Sequence, residues 1–272
     1  MKHLPAVLLH LVLLIAAVVT LFPLVWMASV SLMHAGEAST FPPPLLPSQP
    51  TLENYRTLFE REGMGRYFFN SVLLAALVSV LSLAFNSMAG YAFAKLRFAG
   101  RDRVFQLLLA ALVVPAQVAM LPLFLMLKWL GLVNTYAGVL VPGMAGIFGI
   151  FLVRQYALGI PDELLEAARL DGASELRIFG SIVLPVLKPI LVTLAIFTFL
   201  GTWNDFMWPL IVLTDQDLYT LPIALALLSR EHVQDNELMM AAALVTVLPV
   251  LVLFLSLQRY YLRGILIGSV KG

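Results

Sequence analysis

Charged and polar side chains are rare here, so the few that interrupt apolar sequence limit the chemistry open to the chain. The richest cluster runs from Glu166 to Pro185, reads EAARLDGASELRIFGSIVLP, and separates two hydrophobic segments. A second, Trp203-Asn204-Asp205-Phe206, sets a carboxyl group within a long apolar stretch. An ionisable group in hydrocarbon is costly and usually faces a cavity or a partner. Asn86 and Ser87, with Gly90 nearby, add two polar groups to another apolar segment. They suit either a polar path or hydrogen bonds between helices. This is not the equipment of a hydrolase. No Ser/His/Asp or His/Glu set converges, and no Gly-x-x-x-x-Gly-Lys-Ser/Thr loop is present to hold a nucleotide phosphate. His3, His10, His34 and His232 are scattered without ligand spacing, so no metal site is expected. The lack of cysteine excludes a disulfide, a thiolate metal site and a Cys nucleophile.

The elements that must position these groups are membrane-spanning helices. Of the 272 residues, 61% are hydrophobic and 12% charged; soluble domains carry roughly 25% charged residues. Crossing a hydrocarbon core of about 30 Å takes roughly 20 mostly apolar helical residues. Six segments qualify, at about 5–31, 68–94, 104–127, 135–157, 186–212 and 238–259. The first follows Lys2 as a signal peptide would, but its apolar run from Leu4 to Val30 is longer than a signal core, so a retained helix is expected. With both termini cytoplasmic, that side receives Lys2, Lys95, Arg97, Arg101, Arg103, Arg154, Arg169, Arg177, Lys188, Arg259, Arg263 and Lys271. The other side receives only Arg56, Arg61, Arg66, Lys128 and Arg230. That bias places the Glu166 loop in the cytoplasm. A formal net charge of +1 with no basic run excludes tracking of a nucleic acid. In an outer loop at about 33–66, Phe41-Pro-Pro-Pro44, Pro47 and Pro50 predict extended backbone. Residues 52–62 are amphipathic enough for a short interfacial helix, and 214–236 form a second outer segment.

Within the polar island, Pro161 suits a first helical turn, and Asp162 and Glu163 complement the helix dipole. Leu164, Leu165 and Ala168 share one side of this helix, while Glu166 and Arg169 can pair at i, i+3 on the other. Asp171-Gly172 ends it, since glycine adopts the left-handed conformation. Ser174 then caps a second helix, with Leu176, Phe179, Ile182 and Val183 on one apolar face. Pro185 and Pro189 break or kink the entry to the fifth span.

The skeleton Glu166-Ala-Ala, three residues, Gly172, nine residues, Ile182-Val183-Leu184-Pro185 resembles the EAA loop of membrane subunits of ATP-binding-cassette importers. Pro161, Glu163, Asp171-Gly172-Ala173, Trp203-Asn204-Asp205-Phe206 and Pro209-Leu210 are similar to the carbohydrate branch of that family. So are Asn54-Tyr55, Asn70-Ser71 and the terminal Gly268-Ser-Val-Lys-Gly272. The likeness is nearest to the maltose-type subunit with six spans, although Arg263-Gly264-Ile-Leu-Ile-Gly268 is more aliphatic than the usual tail. It implies an all-α membrane protein with six transmembrane helices, a single domain over 1–272, and a cytoplasmic coupling helix in a loop at about 158–185. It implies that Glu163, Glu166, Ala167, Ala168, Asp171, Gly172, Ile182, Leu184 and Pro185 dock on a separate ATPase and carry its movement. The chain itself would bind no cofactor, and ATP and Mg would be used by the partner. The implied partners are a second permease subunit, two ATPase copies, an extracytoplasmic solute-binding protein, a carbohydrate, and the bilayer of a prokaryotic plasma membrane. The chain would form half of a pore working by alternating access.

Under that reading Asn86, Trp203, Asn204 and Asp205 are candidates to line the solute path, an indole stacking on a sugar face and polar groups binding hydroxyls. Counted from Pro189 at 1.5 Å per residue, Asp205 lies about 24 Å along its helix, toward the outer end. A hydrated outer interface, with Trp203 and Trp208 as belt aromatics, is the reading favoured over direct sugar contact for Trp203, Asn204 and Asp205. Gly143, Gly146 and Gly149 predict close helix packing, and Met120 and Met126 read as packing residues. An importer for another solute, such as a polyamine, would share the loop. An ion-coupled secondary transporter would need inverted repeats and broken helices around an ion site, and neither is visible in the sequence.

Overall fold

The computed structural model describes residues 4–232 and 235–269, with 4–6 and 257–269 as helical backbone alone. Lys2, His3, Lys271 and the last residues of the Gly268–Gly272 tail lie outside the described residues. In chain order the helices are α1 (Leu4–Val30), α2 (Glu53–Glu60), α3 (Met64–Lys95), α4 (Arg101–Ala111), α5 (Ala116–Trp129), α6 (Tyr136–Gly143) and α7 (Ile147–Ala157). There follow α8 (Asp162–Leu170), α9 (Glu175–Ile178), α10 (Leu184–Trp203), α11 (Met207–Val212), α12 (Leu221–Glu231) and α13 (Asn236–Ser269). No strand occurs among the described residues. Five helical stretches are long and apolar enough to cross a membrane, or six if α4 and α5 together form one span. The all-α membrane fold expected from the sequence is the fold observed.

Three expected spans are broken rather than continuous. The segment 104–127 is two helices bent by 107°. Pro115, at the start of α5, lacks an N–H and disfavours helical backbone in Val114 before it. The segment 135–157 divides into α6 and α7 at 144–146, where Gly146 is extended. The segment 186–212 divides into α10 and α11 at 204–206.

The chain forms two compact units. The first comprises Met1–Phe68 and Leu221–Val252. Along α1 the side chains from Val7 to Phe22 are exposed, as suits a helix surrounded by lipid. The proline-rich segment after it is non-helical, as expected, and is held by specific bonds. Asn54 Nδ2, buried on α2, donates to the carbonyls of Ser31 (3.0 Å) and Met33 (2.8 Å). Glu37 accepts from the Ser48 amide at 2.6 Å, and Glu237 at the start of α13 accepts from the Ala38 amide at 2.7 Å.

The second unit comprises Phe69–Thr220 and Leu253–Gly272. One of its cores gathers Leu74, Leu127, Val139, Trp208, Val212 and Leu213. Buried Asn70 braces it: Nδ2 donates to the Asp217 and Tyr219 carbonyls at 2.9 Å, and Oδ1 accepts from the Tyr136 hydroxyl at 2.7 Å. Close helix approach depends on glycine. A Cβ on Gly90 would lie 2.6 Å from Val153 Cγ1, and one on Gly143 would lie 2.8 Å from Val78 Cγ1. Gly149 packs directly on Asn86, whereas Gly146 has open space and serves as the cap of α7.

Candidate functional site

The polar island folds as a short helix, a tight reversal and a second helical segment. Proline at the start and acids in the first turn set up α8, with Pro161 as the residue before the helix. Its end is a Schellman closure: Gly172 N donates to Arg169 O and Ala173 N to Ala168 O, each at 3.0 Å. Gly172 has φ +80°, the left-handed conformation expected of it. Ser174 caps α9 by accepting from Arg177 N at 3.4 Å. A π-helical turn, Phe179–Val183, then leads into α10. Pro185 sits in the first turn of α10, where its missing N–H is tolerated, and the widened turn absorbs the break that the sequence predicts there.

Three side-chain placements differ from the sequence reading. Arg169 pairs with Glu175, Nε to Oε1 at 2.6 Å, not with Glu166. The reversal at Gly172 brings Glu175 back beside the last turn of α8, a contact that helical periodicity cannot show. Leu164 and Leu176 do not join the inner face; Leu176 is 79% exposed, and Leu170 at the reversal is 89% exposed. The inner face instead consists of Leu165, Ile178, Val183 and Leu187, all buried with Tyr91, Val153, Ala157 and Ile160. Ala168, Ala173 and Ile182 pack partly against this core, whereas Glu163, Glu166, Ala167, Asp171 and Pro185 are exposed.

A set of anchors from α3, invisible to sequence spacing, fastens this unit. The Tyr91 hydroxyl donates to Glu175 Oε2 at 2.9 Å. Lys95 donates to the Ile160 carbonyl and to Asp162 Oδ1, each at 2.6 Å. The Lys95 ammonium holds the Asp162 carboxyl below its ordinary range, and the Arg169 guanidinium does the same for Glu175. The Glu175 hydrogen bond in turn raises Arg169. The loop is therefore stiff on its inner side and presents small residues, acids and exposed leucines on its outer side. A short rigid helix of that kind can transmit a displacement.

The candidate path residues separate. Asp205 lies in the break between α10 and α11 and lines a cavity of about 340 Å³ with Val78, Met120, Pro142, Thr202 and Trp208 among its walls. Its Oδ1 accepts from Trp208 N at 3.3 Å. Trp203 is buried and stacked on Phe199, with ring centroids 5.7 Å apart. Trp208 is buried too, its Nε1 donating to Gly138 O at 3.1 Å, so neither indole sits as an exposed belt residue. Asn204 is exposed and folds back on Leu200 O at 2.9 Å. Asn86 is buried, donating to Ser82 Oγ at 2.7 Å, with Oδ1 unpartnered. Of the four, only Asp205 is on the cavity wall. Met120, which reads as a packing residue in the sequence, shares that wall.

Residues 86–267 match the family described as binding-protein-dependent transport system inner membrane component. An arabinooligosaccharides transport system permease protein of Halalkalibacterium halodurans is 41% identical, covering 94% of this chain and 93% of its own. An osmoprotective compounds uptake permease protein of Synechocystis is 38% identical over 88% of this chain and 82% of its own. A crystal structure of a bacterial transporter for import of alginate contains a chain that superposes with a TM-score of 0.84 at 22% identity, covering 96% of this chain and 97% of that one.

Proposed function

Since this chain belongs to the family of binding-protein-dependent transport system inner membrane components, a multi-pass permease family, we propose that it forms half of the pore of a carbohydrate importer. On this reading a second permease subunit completes the pore, and two copies of a separate ATPase supply the energy. An extracytoplasmic binding protein delivers the solute. Both termini are cytoplasmic, and the loop bearing α8 docks in a cleft of the ATPase through Glu163, Glu166, Ala167, Asp171 and Gly172.

The observation that carries this reading is the two-sided character of the loop. Its inner face is buried and pinned by Tyr91 and Lys95, while Leu164, Leu170 and Leu176 project outward. Exposed leucines beside small residues are the natural lining of a protein groove. The broken spans would also suit an ion-coupled transporter, but family membership decides against that class. The relative that carries arabinooligosaccharides supports a carbohydrate, and the relative for osmoprotective compounds supports a wider solute range. The Asp205 cavity is the proposed path, with its carboxyl the only ionisable group among its walls.

The test is uptake by vesicles reconstituted with the chain and its partner subunits, ATP and binding protein, against a panel of oligosaccharides, compatible solutes and a polyamine. Oligosaccharide uptake that requires ATP is expected. Uptake driven by an ion gradient without ATP, or restricted to the polyamine, would overturn the proposal.

A further inference from the structure

Histidine spacing in the sequence shows no metal site, yet the fold brings His232 beside two carboxylates, one of them 170 positions away. Glu62 lies at the corner between α2 and α3, just before Gly63 with φ +66°. Glu231 is the last residue of α12 and His232 the next. Each offers one ligand atom, and these atoms all lie within 4.8 Å of one another. His232 Nε2 stands 3.4 Å from Glu62 Oε1. The backbone fixes both ends: His232 N donates to Leu228 O at 2.9 Å and Glu62 N to Thr57 O at 3.2 Å. Glu62 and His232 are largely sheltered, with side chains 23% and 31% exposed, while Glu231 opens to the surroundings.

Two carboxylates this close repel each other, and a cation between them relieves the repulsion. A divalent ion satisfies all three groups at once. The donor set selects the ion: one imidazole with two carboxylates suits zinc and similar transition ions, whereas calcium and magnesium require six or more oxygen ligands. In a tetrahedral site with bonds of about 2.0–2.1 Å, ligand atoms stand roughly 3.3 Å apart. Contraction from the observed spacing needs only small side-chain rotations. We infer that Glu62, Glu231 and His232 bind a zinc-class divalent cation, with water completing the coordination, and that the ion staples the α2–α3 corner to the end of α12. The site shares no residue with the coupling loop or the Asp205 cavity.

The test titrates zinc into the full chain, purified with its accompanying subunits, in competition with a chromophoric chelator. Wild type is expected to bind one zinc more than His232→Ala, with affinity falling at least about tenfold in Glu231→Gln as well. His34→Ala, which alters another histidine of the same unit, should keep the site. X-ray absorption of the loaded protein should show nitrogen and oxygen ligands at about 2.0–2.1 Å, lost in His232→Ala. Because Glu231 is exposed, Glu231→Gln provides a reading even if His232→Ala is poorly folded. Equal zinc binding by wild type and both variants would overturn the assignment and leave His232 and Glu62 as a close contact only.

Discussion

Replacement of Gly172 by valine tests the loop at its most specific point. The residue has φ +80°, yet an added Cβ would meet nothing within 4 Å. The cost of a side chain there is conformational, not steric. Left-handed backbone costs an L-residue about 1–2 kcal/mol, and a β-branched side chain lies at the upper end. Such a shift changes the ratio of closed to open helix end by a factor of about 5–30. Alanine should cost less than valine, and asparagine, which tolerates this conformation, should cost little. In reconstituted vesicles Gly172→Val should be present in normal amount, with solute uptake lowered by up to about 30-fold and ATP hydrolysis no longer raised by solute. Gly172→Asn should restore most of both. Normal uptake by the valine variant would refute the lever. Asparagine as damaging as valine would refute the conformational argument and point to a partner surface packed against this position.

Other sites give separate outcomes. Gly149→Ala drives a Cβ into Asn86 and to 3.2 Å from Leu194, so it should destabilise the second unit by about 1–3 kcal/mol in thermal unfolding. Gly146→Ala meets open space and should stay within about 0.5 kcal/mol; equal melting temperatures for the two would contradict the packing account. Asn70→Ala removes the bonds to the Asp217 and Tyr219 carbonyls and to the Tyr136 hydroxyl and should cost about 1–3 kcal/mol, and an unchanged melting temperature would disprove it. The pH dependence of the loop follows from its depressed carboxyls. Asp162 and Glu175 ionise below their ordinary values of 3.8 and 4.5, so their stabilisation is complete above those values and is lost as pH falls through the folded ones. Melting temperature should therefore be insensitive to these groups from about pH 8 to 5 and fall below about 4. The double variant Asp162→Asn, Glu175→Gln should lose part of that acid slope; an identical slope would show that the pairs do not form.

What the sequence made legible was local. Asp171-Gly172 closes its helix and Ser174 caps the next because both motifs act within a few residues, and α2 follows from amphipathic periodicity at 52–62. The six apolar segments were legible from length alone. The breaks within three of them were not, since hydropathy averages over a window and does not register Pro115, Gly146 or the 204–206 interruption. Long-range pairing was equally hidden. Glu175 lies 84 residues from Tyr91, Asp162 lies 67 from Lys95, and His232 lies still farther from Glu62. Nor could periodicity orient Leu176, because the reversal at Gly172 rotates α9 after the helical phase has been lost. Asn54 and Asn70, singled out by resemblance, turn out to brace backbone turns, each through two carbonyls.

The central claim is that the loop bearing α8 is the surface through which an ATPase drives this chain. Because the sequence contains no cysteine, Leu170→Cys would introduce a single thiol at a position 89% exposed at the tip of the reversal. Loaded with a maleimide photo-cross-linker in the assembled transporter, that thiol is predicted to form its adduct with the ATPase subunit and to block uptake once cross-linked. Adducts with lipid alone, and uptake unaffected by illumination, would contradict the claim.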